Sequence, residues 1–187
     1  MKANTKRDHE LVARAIDGDT DAFKRLVLLY KDHSLSLICS ILKDTVRSED
    51  VLQNVFIKVY KNMNTFRFDA SFSSWLYRIV VNASYNELKK QKNDLTIDTE
   101  TIEMSIDHKN QMTEDDQKKF INLALKQIKP DEALVLRLYY LNELKIKEIQ
   151  EVTGFGKSKI KIDLHRGRTN FHNKLKRILG KDIKHLL

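Results

Sequence analysis

Apolar residues recur at the spacing of α-helices through two long stretches of this chain, and a segment between them lacks that spacing. In the first stretch the pattern predicts helices over residues 8–17, 19–42, 48–64 and 71–92. In the second stretch it predicts helices over residues 117–129, 130–141, 146–152 and 158–179. The chain has only 5 Gly and 1 Pro, too few for the many turns of an all-β fold. The sequence therefore predicts an all-α protein.

Charge divides the chain at the same places. Residues 1–92 hold 16 basic and 11 acidic side chains, residues 93–116 hold 1 and 8, and residues 117–187 hold 17 and 7. We interpret this pattern as two small helical domains, residues 1–92 and 117–187, joined by an acidic linker. The formal net charge of +8 favours a polyanionic partner, although charged runs are also typical of ordinary solvated surface.

The sequence lacks the features of membrane-spanning, secreted and catalytic proteins. No apolar run approaches the ~18 residues of a membrane span, and the N-terminus has no apolar signal core. Cys39 is the single cysteine, the six histidines have no metal-binding spacing, and neither a phosphate-binding P-loop nor a GxSxG elbow is present. We therefore expect a cytoplasmic protein without membrane insertion, enzymatic activity, metal or cofactor.

One face of the predicted helix 71–92 combines three chemistries that suit nucleic acid. A cation, an amide, an aromatic ring and a second cation follow one another within about 60° of arc, and an indole borders them. These residues are Arg78, Asn82, Tyr85, Lys89 and the bordering Trp75. Cations bind phosphate, amides read base edges and aromatic rings stack on exposed bases, so this face suits single-stranded or melted nucleic acid. The alternative is an ordinary solvated face with a partly buried aromatic edge.

The predicted helix 48–64 has a core face and an opposite face that is polar except for one residue. Ile57 lies among Asp50, Gln53, Asn54 and Lys61, away from the apolar side. This placement suggests a protein-binding patch, although single exposed apolar residues are common.

The C-terminal stretch has the layout of a helix-turn-helix unit. A short helix with Ile146 and Ile149 is followed by a turn containing two glycines and by a longer basic helix. In the second helix the predicted core side carries Ile160, Leu164, Gly167, Phe171, Leu175 and Ile178. The predicted outward side carries Lys159, Ile162, Asp163, Arg166 and Asn170. We expect outward cations to contact phosphate or guanine and Ile162 to contact a thymine methyl. Asp163 would accept a hydrogen bond from cytosine or pair with a neighbouring cation.

Three strings resemble the extracytoplasmic-function sigma factors, the small bacterial transcription-initiation subunits. SEDVLQNVFIKVYKNMNTF and FSSWLYRIVVNASYNELKK resemble region 2 of that family, and IKEIQEVTGFGKSKIKIDLHRGR resembles region 4. The resemblance implies that the residues docking on core RNA polymerase are Asp50, Gln53, Asn54, Ile57 and Tyr60. For the −10 promoter element it implies Trp75, Arg78, Asn82, Tyr85 and Lys89, with Arg78 and Asn82 lining a pocket for a flipped base and loop 64–73 setting specificity. For the −35 element it implies Lys157, Ser158, Lys159, Lys161, Ile162 and Arg166.

The same resemblance implies the partners of the chain. They are core RNA polymerase, promoter DNA and an anti-sigma factor, free or membrane-bound. The acidic linker would lie in the active-site channel and the RNA exit path of the polymerase, or serve only as a flexible tether between the domains. Ile162 and Asp163 depart from the family's usual residues at base-reading positions. Three alternatives stay open at this point. They are, in order, a helix-turn-helix regulator that binds duplex DNA alone, a helical protein that binds RNA without sequence preference and, far behind, a hydrolase whose site is assembled from distant segments.

Overall fold

The computed structural model describes residues 2–93 and 113–179 of the chain, so residues 94–112 of the predicted acidic linker lie outside the described residues. Within these two ranges the chain forms eight α-helices and no strand. The helices are α1 Lys2–Ile16, α2 Thr20–Leu42, α3 Thr45–Asn62, α4 Phe72–Asn93, α5 Glu114–Lys126, α6 Pro130–Leu136, α7 Ile146–Thr153 and α8 Lys157–Leu179. The predicted all-α fold is confirmed.

Capping side chains mark where three of the helices begin in the structure. The carboxylate of Asp19 accepts from the amides of Asp21 and Ala22, which begins α2 at the predicted place. Asp44 accepts from the amide of Arg47, so α3 begins at Thr45 and not at Ser48 as predicted.

Two further helix starts differ from the prediction. Thr113 and Asp116 cap each other's backbone amides in a capping box, and α5 therefore begins at Glu114 and not at residue 117. Helix α1 begins at Lys2 and not near residue 8, so Asp8 lies within the helix and not at its start. Its carboxylate accepts from the buried hydroxyl of Tyr30 on α2, so the helix passes through this polar position.

The two halves of the chain share one apolar core. Helix α4 packs against α2 and α3 on one side and against α7 on another, and α2 also contacts α6. The largest fully buried side chains come from both halves and include Leu26, Leu37, Ile38, Ile41, Phe72, Leu76, Leu134, Leu138, Ile149 and Ile160. The helices that the sequence assigns to two domains are thus packed against each other.

The C-terminal half contains a π-helical turn and a close helix crossing. Residues 130–141 were predicted as one helix, but α6 ends at Leu136 and Arg137–Leu141 form a π-helical turn. At the crossing of α6 and α8, Gly167 is buried, and a Cβ atom there would lie 3.2 Å from Leu136 and 3.3 Å from the Cβ atom of Glu132. None of the helices in the described ranges combines the length and the apolar character that crossing a bilayer requires.

Candidate nucleic-acid interface

The polar residues of the predicted nucleic-acid face lie on the surface of α4, and its aromatic residues do not. Arg78, Asn82 and Lys89 are exposed, as their spacing predicts. Trp75 and Tyr85 are half-buried and pack against the shared core. The structure therefore brings all five residues to one side of the helix but leaves only three of them free of neighbouring helices.

A pocket of about 250 Å³ opens beside this face, between the start of α4 and the loop that precedes it. Its lining residues are Thr65, Phe66, Arg67, Asp69, Ala70, Ser74, Trp75, Arg78 and Glu151. The Trp75 ring centroid lies 5.6 Å from that of Phe66 and 5.8 Å from that of Phe72. Phe66 and Phe72 are buried, so the wall of the pocket is a packed aromatic cluster with a cation at its side. This arrangement can stack a flat ring and place a guanidinium against a polar edge or a phosphate.

The loop 64–73 owes its shape to α1 as well as to its own aromatic residues. The imidazole of His9 lies against Phe66 at 5.5 Å and Phe68 at 5.3 Å, centroid to centroid. Its Nε2 atom is 3.1 Å from the carbonyl oxygen of Ala70. Phe68 has a φ of 59°, a strained value for a bulky residue, and its ring lies 4.9 Å from that of Phe66. No local pattern connects His9 with this loop, because the contact spans 61 positions.

Tyr85 is engaged by the C-terminal half. Its hydroxyl donates to Oδ1 of Asp131, the second residue of α6, at 2.8 Å. Burial, and then the bond to Asp131, raise the pKa of Tyr85 above its usual range, so the phenol stays protonated and acts as the donor. The apolar pattern predicts a helix from residue 130, and nothing in that local pattern indicates this contact.

Helix α8 exposes five of the six residues that were expected to contact the −35 element. Lys157, Ser158, Lys161 and Arg166 are exposed as expected, and Ile162 is 47% exposed. A run of cations around one exposed apolar side chain suits phosphates flanking a thymine methyl.

Asp163 was predicted to point outward, and that is wrong, because only 13% of its side chain is exposed. Lys159 keeps 42% of its side chain exposed, but its ammonium group is bonded to two carboxylates. The Nζ atom of Lys159 donates to Asp163 and, at 2.7 Å, to Oδ2 of Asp131, and it lies 4.0 Å from the centroid of the Phe155 ring. Burial lowers the pKa of Lys159, but the bonds to the two carboxylates outweigh it and raise the pKa overall. The pairing of Asp163 with a neighbouring cation is confirmed. Asn170, also expected outside, is half-buried and donates to Glu132 at 2.8 Å.

The predicted protein-binding side of α3 faces away from the core. Asp50, Gln53 and Asn54 are exposed, and Ile57 and Tyr60 are 53% and 48% exposed. The core face is also confirmed, because Val51, Val55, Phe56 and Val59 are buried. The side therefore combines a carboxylate, two amides, an aliphatic chain and a phenol on one accessible surface. In the described residues, no group of three or more His, Cys, Asp or Glu side chains is arranged to hold a metal ion.

Family comparisons cover most of the chain. Residues 26–93 match the family model Sigma-70 region 2, and residues 121–171 match the model Sigma-70, region 4. The chain is 30% identical over 171 residues to the ECF RNA polymerase sigma factor SigW of Bacillus subtilis (strain 168), covering 85% of this chain and 91% of SigW. It is 27% identical over 184 residues to the ECF RNA polymerase sigma-E factor of Escherichia coli (strain K12), covering 92% and 96% of the two chains.

Solved structures share the fold. The sigma factor RpoE in complex with the anti-sigma factor NepR from Bartonella quintana has a TM-score of 0.66 at 18% identity, covering 82% of this chain and 96% of that one. CnrH in complex with the cytosolic domain of CnrY has a TM-score of 0.63 at 19% identity, covering 94% of this chain and 99% of that one. Both likenesses concern the arrangement of helices.

Proposed function

The chain belongs to the ECF RNA polymerase sigma factors, and we propose that it reads a melted −10 element with α4 and a duplex −35 element with α8. As a sigma factor it is a transcription-initiation protein that recognises promoters. A stand-alone helix-turn-helix regulator would not account for the match to Sigma-70 region 2 over residues 26–93. The proposed domain division follows the sequence, with region 2 in residues 1–92 and region 4 in residues 117–187.

The pocket beside Trp75 is the observation that carries the −10 assignment. It lies between the aromatic loop 64–73 and the face of α4 on which Arg78 and Asn82 are exposed. Extruding a base from a duplex costs a few kcal/mol, and a preformed pocket can offset this by stacking and hydrogen bonding. The pocket is already shaped by buried rings, so it need not be ordered when DNA binds.

The other contacts follow from the exposed surfaces. We assign the −35 element to Lys157, Ser158, Lys161, Ile162 and Arg166. Lys159 was also expected at the −35 element, and in the structure its ammonium group donates to Asp131 and Asp163. We assign it to holding α8 against α6. We assign the binding of core RNA polymerase to an exposed surface of α3, formed by Asp50, Gln53, Asn54, Ile57 and Tyr60. We place this activity in the cytoplasm, where polymerase and promoters meet. We infer an anti-sigma partner because one solved structure of this fold, the sigma factor RpoE, is in complex with the anti-sigma factor NepR.

Two variants test the −10 assignment. Arg78→Ala and Asn82→Ala each remove one exposed polar group beside the pocket, and a lost base contact is worth ~1–3 kcal/mol. We expect open-complex formation on duplex promoters to fall roughly 5- to 160-fold, with a smaller loss on a promoter that is already melted at −10. Arg25→Ala and Asn173→Ala are matched controls, since they remove an exposed Arg and an exposed Asn from α2 and α8. Wild-type rates for both pocket variants on duplex DNA would contradict the assignment.

A further inference from the structure

His9 on α1 contacts the loop that shapes the pocket beside Trp75, although α1 and the loop lie far apart in the sequence. Its Nε2 atom lies 3.1 Å from the carbonyl oxygen of Ala70, and Ala70 lines the pocket. A carbonyl oxygen only accepts hydrogen bonds, so Nε2 carries a proton and donates. The imidazole ring also makes T-shaped contacts with Phe66 and Phe68. One side chain of α1 therefore holds the backbone and two rings of this loop.

The middle of the loop has few other restraints. Its ends are fixed, since a backbone bond from Phe66 closes the turn before it and Ser71 accepts from a backbone amide in the first turn of α4. Between these ends, within the described part of the chain, residues 67–70 make no backbone-to-backbone hydrogen bond. Phe68 has a φ of 59°, and a bulky residue keeps such a conformation only where its surroundings hold it. The contacts of His9 supply that restraint.

Helix α1 in turn fixes the position of His9. Val12 of this helix is buried in the shared core, and the carboxylate of Asp8 accepts from the hydroxyl of Tyr30 on α2. His9 itself is half-buried. The loop is therefore held by a residue of a packed helix. That helix precedes residue 26, where the match to Sigma-70 region 2 begins, so His9 lies outside the matched region.

We propose that His9 is a positioning residue for −10 recognition, whose hydrogen bond to Ala70 fixes the loop 64–73 and thereby the base preference of the pocket. The inference rests on the proposed function, because it concerns the pocket assigned there to a flipped base. A wall of fixed shape rejects bases that do not fit, whereas a loop that can rearrange accommodates them. The pocket is lined by Ala70 and not by His9, so His9 acts through the loop rather than by touching DNA.

Three substitutions separate the hydrogen bond from the ring contacts. His9→Ala removes both, His9→Phe keeps an aromatic ring without a donor, and His9→Gln keeps an N–H donor on a side chain of similar length. His33→Ala is the matched control, since it removes an exposed imidazole from α2 in the same half of the chain. Circular dichroism of each variant checks that the helix content is unchanged.

The measurement is transcription by core RNA polymerase with each full-length variant on a promoter library whose −10 and −35 elements are randomised and whose transcripts carry a barcode. The base preference at a position is the ratio of transcript yields for the most and the least favoured base. At the most selective −10 position we expect His9→Ala and His9→Phe to lower this ratio roughly threefold to tenfold, the worth of one hydrogen bond. His9→Gln and His33→Ala should change it less than about twofold, and every variant should keep its −35 preference.

An unchanged −10 preference in His9→Ala overturns the inference. A fall in transcription by His9→Ala that is equal for every −10 sequence also overturns it, because the role would then be structural only. A loss of preference in His9→Gln as large as in His9→Ala overturns it as well, since the hydrogen bond would contribute nothing. If wild type shows a −10 preference that His9→Ala retains, the inference fails and the proposed function stands. If wild type gives no transcripts, or transcripts without a −10 preference, both fail.

Discussion

The unfolding free energy of this protein should rise with pH between 7.5 and 9.5 because of one lysine between its two halves. Burial, and then the nearby cations Arg137 and Lys126, lower the pKa of Lys43 from 10.5 to about 8. Above pH 8 the folded chain has released a proton that the unfolded chain keeps until about pH 10.5. The unfolded state then binds more protons, so stability increases as the pH rises through this window.

The magnitude follows from the two pKa values of Lys43. A pKa of about 8 in the folded chain and 10.5 in the unfolded chain gives a gain of at most ~1.8 kcal/mol between pH 7.5 and 9.5. Lys43 is only half-buried, so solvent screening reduces the expected gain to ~1 kcal/mol. The three buried tyrosines oppose this gain at the top of the range, because an unfolded tyrosine begins to ionise near pH 9.5 and their raised pKa values keep the folded ones protonated. Their contribution, ~0.5 kcal/mol in total at pH 9.5, cancels when wild type is compared with Lys43→Met, because both proteins carry the same tyrosines.

Urea unfolding followed by circular dichroism at pH 7.5, 8.5 and 9.5 measures this gain. Lys43→Met removes the titrating amine, and Lys31→Met removes an exposed lysine from the same helix as a control. We expect the pH dependence of wild type and Lys31→Met to exceed that of Lys43→Met by ~1 kcal/mol over the range. The reasoning is refuted if Lys43→Met keeps the full wild-type slope.

Two further predictions concern packing and docking. Gly167→Leu should destabilise the chain by ~1–3 kcal/mol, seen as a lower Tm, because even a Cβ atom there meets Leu136 at 3.2 Å, whereas Gly156→Ala enters open space and should have a small effect. Gln53→Lys/Ile57→Glu should weaken binding to core polymerase in a pull-down with helix content unchanged, and Leu28→Glu, which changes a 65% exposed residue on α2, should not. Unchanged polymerase affinity of the double variant would remove the α3 surface from the interface.

Helical periodicity correctly predicted which side of a single helix is buried and which side is exposed to solvent. The apolar side of α3 and the exposure of Arg78, Asn82 and Lys89 on α4 are such features, because a 100° rotation per residue fixes them once one face is buried. Resemblance to known strings supplied the family, which periodicity alone did not distinguish from other helical DNA-binding proteins.

The features that the sequence did not predict depend on contacts between distant segments. Tyr85 seemed free to stack on a base, but its partner Asp131 lies 46 positions further on. Lys159 seemed to point outward on an isolated helix, and only the packing of α8 beside α6 brings it to the same carboxylate. A periodic pattern describes which side of a helix is buried, but it does not identify the helix that covers the opposite side.

Run-off transcription with purified core RNA polymerase on a genomic promoter library, with and without this protein, tests the central claim most directly. If the chain recognises promoters as proposed, new transcripts start at discrete positions only when the protein is present, and they are lost with Arg78→Ala/Asn82→Ala. Sequence-specific binding of the isolated protein to duplex DNA, with no new transcripts from core polymerase, would contradict the account and favour a stand-alone helix-turn-helix regulator.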